Sequence, residues 1–475
     1  MTSPSDDGDA NLSLDSARGR RLLATTVLGS GMVFLDGTIT NVALPQIGRE
    51  LHAGLGGLQW VVNGYALSLA SLIIVGGSLG DRFGRKRVYA YGVAAFVVAS
   101  IAVALAPTVV TLVLARVVQG VAAAALTPGS LAMLQASFTE DDRLRAIGAW
   151  SGMLGIATAA GPVVGGWLVG IDWRYGFWLN VPLGALVLWL LRTAPESRDP
   201  HASRHLDVPA LVLTVVMLTG LTWALTDTHT TRSSISGIVA VLAAIALVVV
   251  ERRARRPMIP PAMFASRIFT WVNIATLFVY ASLTGSMFML ALHLQISAGW
   301  SPLAAGASTL PISAIMLVLS SRFGALATRR GPMLPMVAGM ALVALGYTLL
   351  SRAGAHPAYV RDVLPGVLVQ GFGMSMFVSP LTGSVLAAAP PGRSGLASGI
   401  NNAVSRTAGL VAVAVLPALV GLSGDGYRHG AQVARAYAAS MRWCVGAVLL
   451  GLVTTLVAFR ADPRRPASDD APAGS

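Results

Sequence analysis

Phe34-Leu-Asp-Gly-Thr-Ile-Thr-Asn-Val-Ala-Leu-Pro45 lies in a run from Leu22 to Gly48 whose one ionisable residue is Asp36, close to the midpoint. About 20 apolar residues cross a bilayer as a helix, so this run is long enough to span. It therefore carries a carboxylate to mid-membrane. On insertion scales such a charge costs roughly 2.5–3.5 kcal/mol. A segment that only anchored the chain would place Leu or Ala there. Two readings follow. In one, Asp36 faces a polar cavity and binds a proton or a cationic ligand. In the other, an arginine neutralises it for structural reasons. The expense of the charge favours the first.

Composition extends that reading to the whole chain. Of its 475 residues 54% are hydrophobic and 12% charged, and mean hydropathy is +0.68. Soluble domains carry about 25% charged residues. The class is a polytopic membrane protein, and long apolar runs make helices the spanning element. Fourteen spans are expected. Six fall near 22–45, 58–79, 88–106, 109–134, 146–170 and 175–191, and two near 207–226 and 235–251. The last six fall near 269–296, 303–326, 333–351, 360–388, 395–421 and 438–459. The expected organisation is a cytoplasmic tail at 1–21, a six-helix bundle at 22–192, a linker with two added helices at 193–268, a second bundle at 269–460 and a disordered tail at 461–475.

The net charge of +13 could suggest nucleic acid, but its distribution does not. With the N-terminus in the cytoplasm, inner segments collect Arg18, Arg82, Lys86, Arg145, Arg198, Arg253, Arg330 and their basic neighbours, 23 of the 34 Lys and Arg. Such a bias is the positive-inside pattern, with both termini cytoplasmic in a multi-pass cell-membrane protein. The basic run Arg252–Arg256 fits an anchor at the anionic inner leaflet. Met1–Ser16 is polar, lacks an apolar core and does not resemble a secretory signal. The one cysteine, Cys444, leaves no intrachain disulfide and no cysteine-based metal site.

Three further stretches carry information. Gly77-Ser-Leu-Gly-Asp-Arg-Phe-Gly-Arg-Lys-Arg87 pairs glycines that permit a tight turn with one acid among four bases. A plain basic turn would need neither the acid nor Gly80 and Gly84. Leu114-Ala-Arg-Val-Val-Gln-Gly-Val-Ala-Ala-Ala-Ala-Leu-Thr-Pro-Gly-Ser130 puts Arg116, Gln119, Ala123 and Thr127 on one helical stripe. An arginine that deep needs an acidic or carbonyl partner, and Asp36 is the candidate. Gly155-Ile-Ala-Thr-Ala-Ala-Gly-Pro-Val-Val-Gly-Gly166 sets Pro162, which has no backbone donor, among glycines that allow close packing.

Together these stretches resemble the major facilitator superfamily. The loop at 77–87 is similar to its loop between helices 2 and 3. The stretches at 114–130 and 155–166 resemble the fourth- and fifth-helix motifs of its drug–proton antiporters. Gln59-Trp-Val-Val-Asn-Gly-Tyr65 and Trp173-Arg-Tyr-Gly-Phe-Trp-Leu-Asn-Val-Pro-Leu-Gly184 extend the likeness to the fourteen-helix antiporters. The resemblance implies an all-α fold of two six-helix bundles plus two linker helices, with a substrate site between halves that rock. It implies Asp36 and Arg116 as the proton-coupling pair. Gly77, Gly80, Asp81, Arg82, Gly84 and Arg85 would be gating residues, as would Gly161, Pro162, Gly165 and Gly166. Pro162 would mark a bend facing the other half, and Asp81 would contact the start of the helix near Ser394.

Asn41, Trp60, Asn63, Gln119, Tyr280, Thr284, Phe288 and Gln295 are candidates to line the cavity. His293 reads more simply as a packed histidine than as a proton site. The implied activity is export of amphipathic or cationic small molecules, drugs or antibiotics, in exchange for protons. Its energy source is the proton gradient, with no cofactor, no metal, no nucleic acid and a monomeric chain. Two rivals stand beside it: an exporter of one metabolite, lipid or siderophore, and a receptor or scaffold that has lost transport. No nucleophile constellation or phosphate-binding loop points to an enzyme. Gly371-Phe-Gly373 lies inside an apolar span and is a packing feature.

Overall fold

The computed structural model describes residues 12–198, 207–226, 231–254, 260–390 and 394–460. The expected disordered tail at 461–475 lies outside them, as does the middle of the linker before the seventh span. Among the described residues fourteen helices are long and apolar enough to cross a membrane. The first six are α1 (Ala17–Glu50), α2 (Leu55–Phe83), α3 (Arg85–Ala104), α4 (Val109–Ser137), α5 (Glu140–Ile171) and α6 (Trp173–Leu191). The added pair is α7 (Val208–Thr226) and α8 (Thr231–Arg253). The last six are α9 (Arg267–Ser297), α10 (Pro302–Arg330), α11 (Met333–Leu350), α12 (Tyr359–Ala387), α13 (Ser394–Leu419) and α14 (Gly430–Arg460).

Local chemistry sets the ends. Ser16, Thr108, Ser266 and Ser301 each accept a backbone N–H from the first turn of the helix they precede, satisfying donors that lipid could not. The Ser16 cap starts α1 five residues before the expected boundary. Residues 12–16 are also not free. Leu12 pairs with Phe138 in a short bridge, and Leu14 N–H and Ser13 Oγ donate to Asp142 at 2.9 and 3.1 Å. The Leu14 amide, Ser13 and Arg145 hold the Asp142 carboxyl below its ordinary range. The sequence signals for this docking are too short and polar to stand out from a tail.

α6 is interrupted at Leu179, because Pro182 supplies no N–H to the preceding turn. α9 ends in a wider π turn at His293–Ser297.

Packing repeats between the halves. α1 packs on α5, α2 on α4 and α3 on α4; the same pairs recur eight helices later as α9 on α13, α10 on α12 and α11 on α12. The halves meet through α2 on α13 and α5 on α10, which are exchanged by that same shift. Close crossings use glycine: a Cβ on Gly373 would lie 2.5 Å from the Gly339 carbonyl, a contact only glycine permits. α7 and α8 pack on each other, and α7 leans on α2 and α13. Ile235, Ile238, Leu242 and Ile245 leave α8 apolar on its open face, as lipid requires.

Candidate functional site

Both termini of the described chain lie on one side of the bundle, here the tail side; the α1–α2 turn lies on the far side. Asp36 sits between, on α1, and is 1% exposed. Arg116 Nη1 on α4 forms an ion pair with Asp36 Oδ2. Gln119 Nε2 donates to Asp36 Oδ1 at 2.7 Å and to Ser100 Oγ at 2.9 Å. Asn180 Nδ2 reaches the same two acceptors at 3.4 and 3.1 Å. Helical spacing brings Arg116 and Gln119 to one face of α4, and the break at Leu179 places Asn180 at the start of the second segment of α6.

Arg116 has support beyond the carboxylate. Its Nε donates to the Val61 carbonyl at 3.2 Å, its Nη1 to Gln119 Oε1 at 2.6 Å, and its guanidinium lies over the Tyr65 ring at 4.3 Å and the Phe177 ring at 5.8 Å. Buried charges of this kind need every such partner. The cluster is closed within the first bundle. Asp36 faces α4 and α6, from which Arg116, Gln119 and Asn180 reach it. Gln119, expected to line the substrate cavity, belongs to this cluster instead. Asn180, Ser100, Tyr65 and Phe177 were not assigned from sequence, although Tyr65, Phe177 and Asn180 lie inside motif stretches.

The loop at 77–87 is built around a partner the sequence did not reveal. Asp81 Oδ1 accepts from Arg85 Nε at 2.9 Å. Gly84 has φ +109°, and a Cβ there would lie 2.7 Å from the Glu196 carboxylate. Glu196 accepts the Lys86 N–H at 3.0 Å, while Ser197 O accepts the Arg85 N–H at 2.9 Å. An acid from beyond α6 therefore caps the N-terminus of α3, where the helix dipole favours it. Gly77 lies against Pro128 of α4, and Arg82 stacks on Phe83 at 4.8 Å.

The seam between the halves closes on the far side. Gln59 Nε2 donates to the Val413 carbonyl at 2.7 Å and Gln295 Nε2 to the Val42 carbonyl at 2.9 Å. The Leu55 N–H donates to Gly424 O at 3.1 Å, and Tyr427 Oη to Ala53 O at 2.5 Å. On α5 a Cβ at Gly166 would lie 2.6 Å from Leu303 Cα, and Pro162 backs directly onto Gly306. Gly161 and Gly165 turn instead to Thr38 and Ile39 of α1. Further toward the tail side on that face of α5, among the described residues, Gly155 meets only Leu317 at 3.5 Å, and Gly152 and Gly148 meet nothing within 4 Å. The gap between α5 and α10 widens toward the tail side.

The remaining lining candidates scatter. Trp60 meets Trp223 of α7 edge-on at 5.6 Å. Phe288 is fully buried, and Thr284 packs beneath Gly409. Asn41 and Tyr280 are half-buried. Asn63 is fully buried with both amide atoms unpartnered. His293 lies flat on Tyr437 at 4.2 Å.

Known proteins agree with this architecture. The chain is 35% identical over 401 residues to the multidrug resistance protein Stp of Mycobacterium tuberculosis, covering 83% of this chain and 74% of that protein. It is 35% identical to the tetracenomycin C resistance and export protein of Streptomyces glaucescens, over 87% and 78% of the two chains. A crystal structure of a peptide transporter POT in complex with sulfate superposes with a TM-score of 0.69 at 17% identity, over 95% and 97% of the chains; it shares the fold. The profile of the Major Facilitator Superfamily matches residues 26–414, and the chain belongs to that family of multi-pass membrane transporters.

Proposed function

We propose that the protein exports amphipathic small molecules, drugs or antibiotics among them, in exchange for protons by alternating access. The observation that carries this reading is the enclosed Asp36–Arg116 ion pair in the first bundle. Kinship with a multidrug resistance protein and an antibiotic export protein supports the choice of cargo. Positive-inside charge supports a cytoplasmic tail side. Closure on the far side then corresponds to a state open toward the cytoplasm, ready to load cargo.

The chemistry of the pair suits a proton switch. Arg116 keeps the Val61 carbonyl, Gln119 Oε1 and two aromatic faces when Asp36 becomes neutral. Its charge is therefore not stranded by protonation of its partner. A protonated Asp36 gains an O–H donor, and Ser100 Oγ and the Gln119 amide stand near as the polar groups that accommodate it. The ion pair breaks without leaving a bare charge in lipid, which is what reversible protonation at this depth requires. The test is efflux from proteoliposomes under an imposed pH gradient, across a chemically varied panel of amphiphiles. Gradient-dependent flux of at least one compound is expected; none for any compound would contradict the proposal.

A further inference from the structure

A charge near mid-span lies outside the Asp36 cluster. Arg406 stands at the middle of α13 and is half-buried. Among the described residues it forms no hydrogen bond and no ion pair. The second half offers it no acid: between 269 and 460 the only Asp or Glu residues are Asp362 and Asp425, paired with Arg361 and Arg428 near the far side. Asp36 is already balanced by Arg116. The membrane interior between the halves thus carries an uncompensated cation. A charge held at this depth marks a ligand pathway by default.

The surroundings of Arg406 are polar and underused. Arg406 falls on the stripe of α13 that also carries Leu410, which packs with Leu67 of α2, and Val413, whose carbonyl accepts from Gln59 of α2, so it lies at the meeting of the two halves. Among the described residues the Tyr65 hydroxyl is buried without a partner. Asn63 falls between Gln59 and Leu67 on the face of α2 that meets α13: Gln59 bonds the Val413 carbonyl and Leu67 packs with Leu410. Both amide atoms of Asn63 are unpartnered as well. Native proteins leave few buried polar groups unsatisfied, and such groups gather where something else is bound.

We infer that Arg406 is the recognition cation of the seam, taking the carboxylate of an amphipathic substrate in a forked pair, with the unpartnered Tyr65 and Asn63 side chains of α2 as further polar groups of the seam. A guanidinium fork matches a carboxylate in shape. One arginine balances one negative charge, whereas a phosphate monoester carries about −1.5 to −2 and would stay undercompensated. A lipid headgroup does not reach mid-span. This inference rests on the transport reading and narrows it: the favoured cargo is an acid, not the cation that a lone Asp36 suggested.

Three probes with one body and different heads decide it: pyrenebutyrate, its methyl ester and a pyrenebutyl trimethylammonium salt. Binding to the full chain in phosphatidylcholine nanodiscs is read by pyrene fluorescence. The carboxylate is expected to bind at least about tenfold tighter than the ester, roughly one charge-assisted pair, and tighter than the ammonium. Arg406→Gln should erase that preference while leaving ester binding in place; Arg406→Lys should keep part of it; Arg361→Gln should change nothing. The absence of a carboxylate preference in the wild type, or its survival in a folded Arg406→Gln, overturns the inference. Gradient-driven efflux of the ester in the same protein keeps the cases apart: ester flux without carboxylate preference sinks this inference alone.

Discussion

At the scale of single residues, the proposed coupling rests on a carboxylate that lipid should not tolerate. Asp36 is held by an arginine and two amides, and removing one side of such a buried pair typically costs roughly 3–5 kcal/mol. Arg116→Ala should therefore lower the thermal midpoint of the detergent-solubilised protein sharply, and adding Asp36→Asn should restore much of the loss. A double variant as unstable as the single one would show that Arg116 matters by packing alone. Ser100→Ala should cost less, about 1–3 kcal/mol, since it leaves two buried amides sharing one acceptor; the same melting assay measures it. Asp36 and Arg116 were legible because each is a costly charge in an apolar run and each is the other's candidate partner. Ser100 and Asn180 were not, because small polar residues occur throughout membrane helices and only the fold brings them together. Arg406 carries no reading in the sequence, since its lack of a partner is a tertiary fact.

At the scale of elements, fourteen spans follow from hydropathy alone, while their interruptions do not. The stop at Leu179 answers to Pro182 in the next turn, whereas no turn residue marks the π turn at His293–Ser297. The capping of α3 by Glu196 crosses over 100 residues of chain, so the loop's own acid, Asp81, drew attention instead. Gly84→Val combines a left-handed backbone position with a clash against Glu196; it should leave little folded protein by size-exclusion chromatography, whereas Glu196→Gln, which keeps an acceptor for the Lys86 N–H, should fold. The docking of residues 12–16 makes a pH test. The Asp142 carboxyl is lowered from 3.8 by the Leu14 N–H above all. Its contribution is then complete above that value and is lost as pH falls through the lower folded value. Protection of the Leu14 amide from hydrogen exchange should hold at neutral pH and collapse only in acid below about pH 3.8. Asp142→Asn should weaken it at neutral pH; undiminished protection in that variant would contradict the assignment.

At the scale of the whole molecule, two halves related by a shift of eight helices touch on the far side and part on the tail side. In a Cys444→Ser background, Gly148→Cys and Gly152→Cys should react readily with a polar maleimide added on the tail side, and Gly166→Cys should not. Equal labelling of all three would argue against a gap that widens along α5. The proton-motive arithmetic is sufficient for export: a proton entering down 100 mV releases about 2.3 kcal/mol, enough for roughly a 50-fold gradient of a neutral compound. Expelling a monoanion from the negative side adds a similar amount. The central claim, that Asp36 carries the coupling proton, is tested most directly by comparing two modes of transport in the same proteoliposomes. In wild type, an imposed pH gradient drives net flux, and substrate exchange proceeds without one. Asp36→Asn, fixed in the neutral form, is expected to retain exchange and lose all flux driven by the gradient; gradient-driven flux at the wild-type rate in that variant would contradict the account.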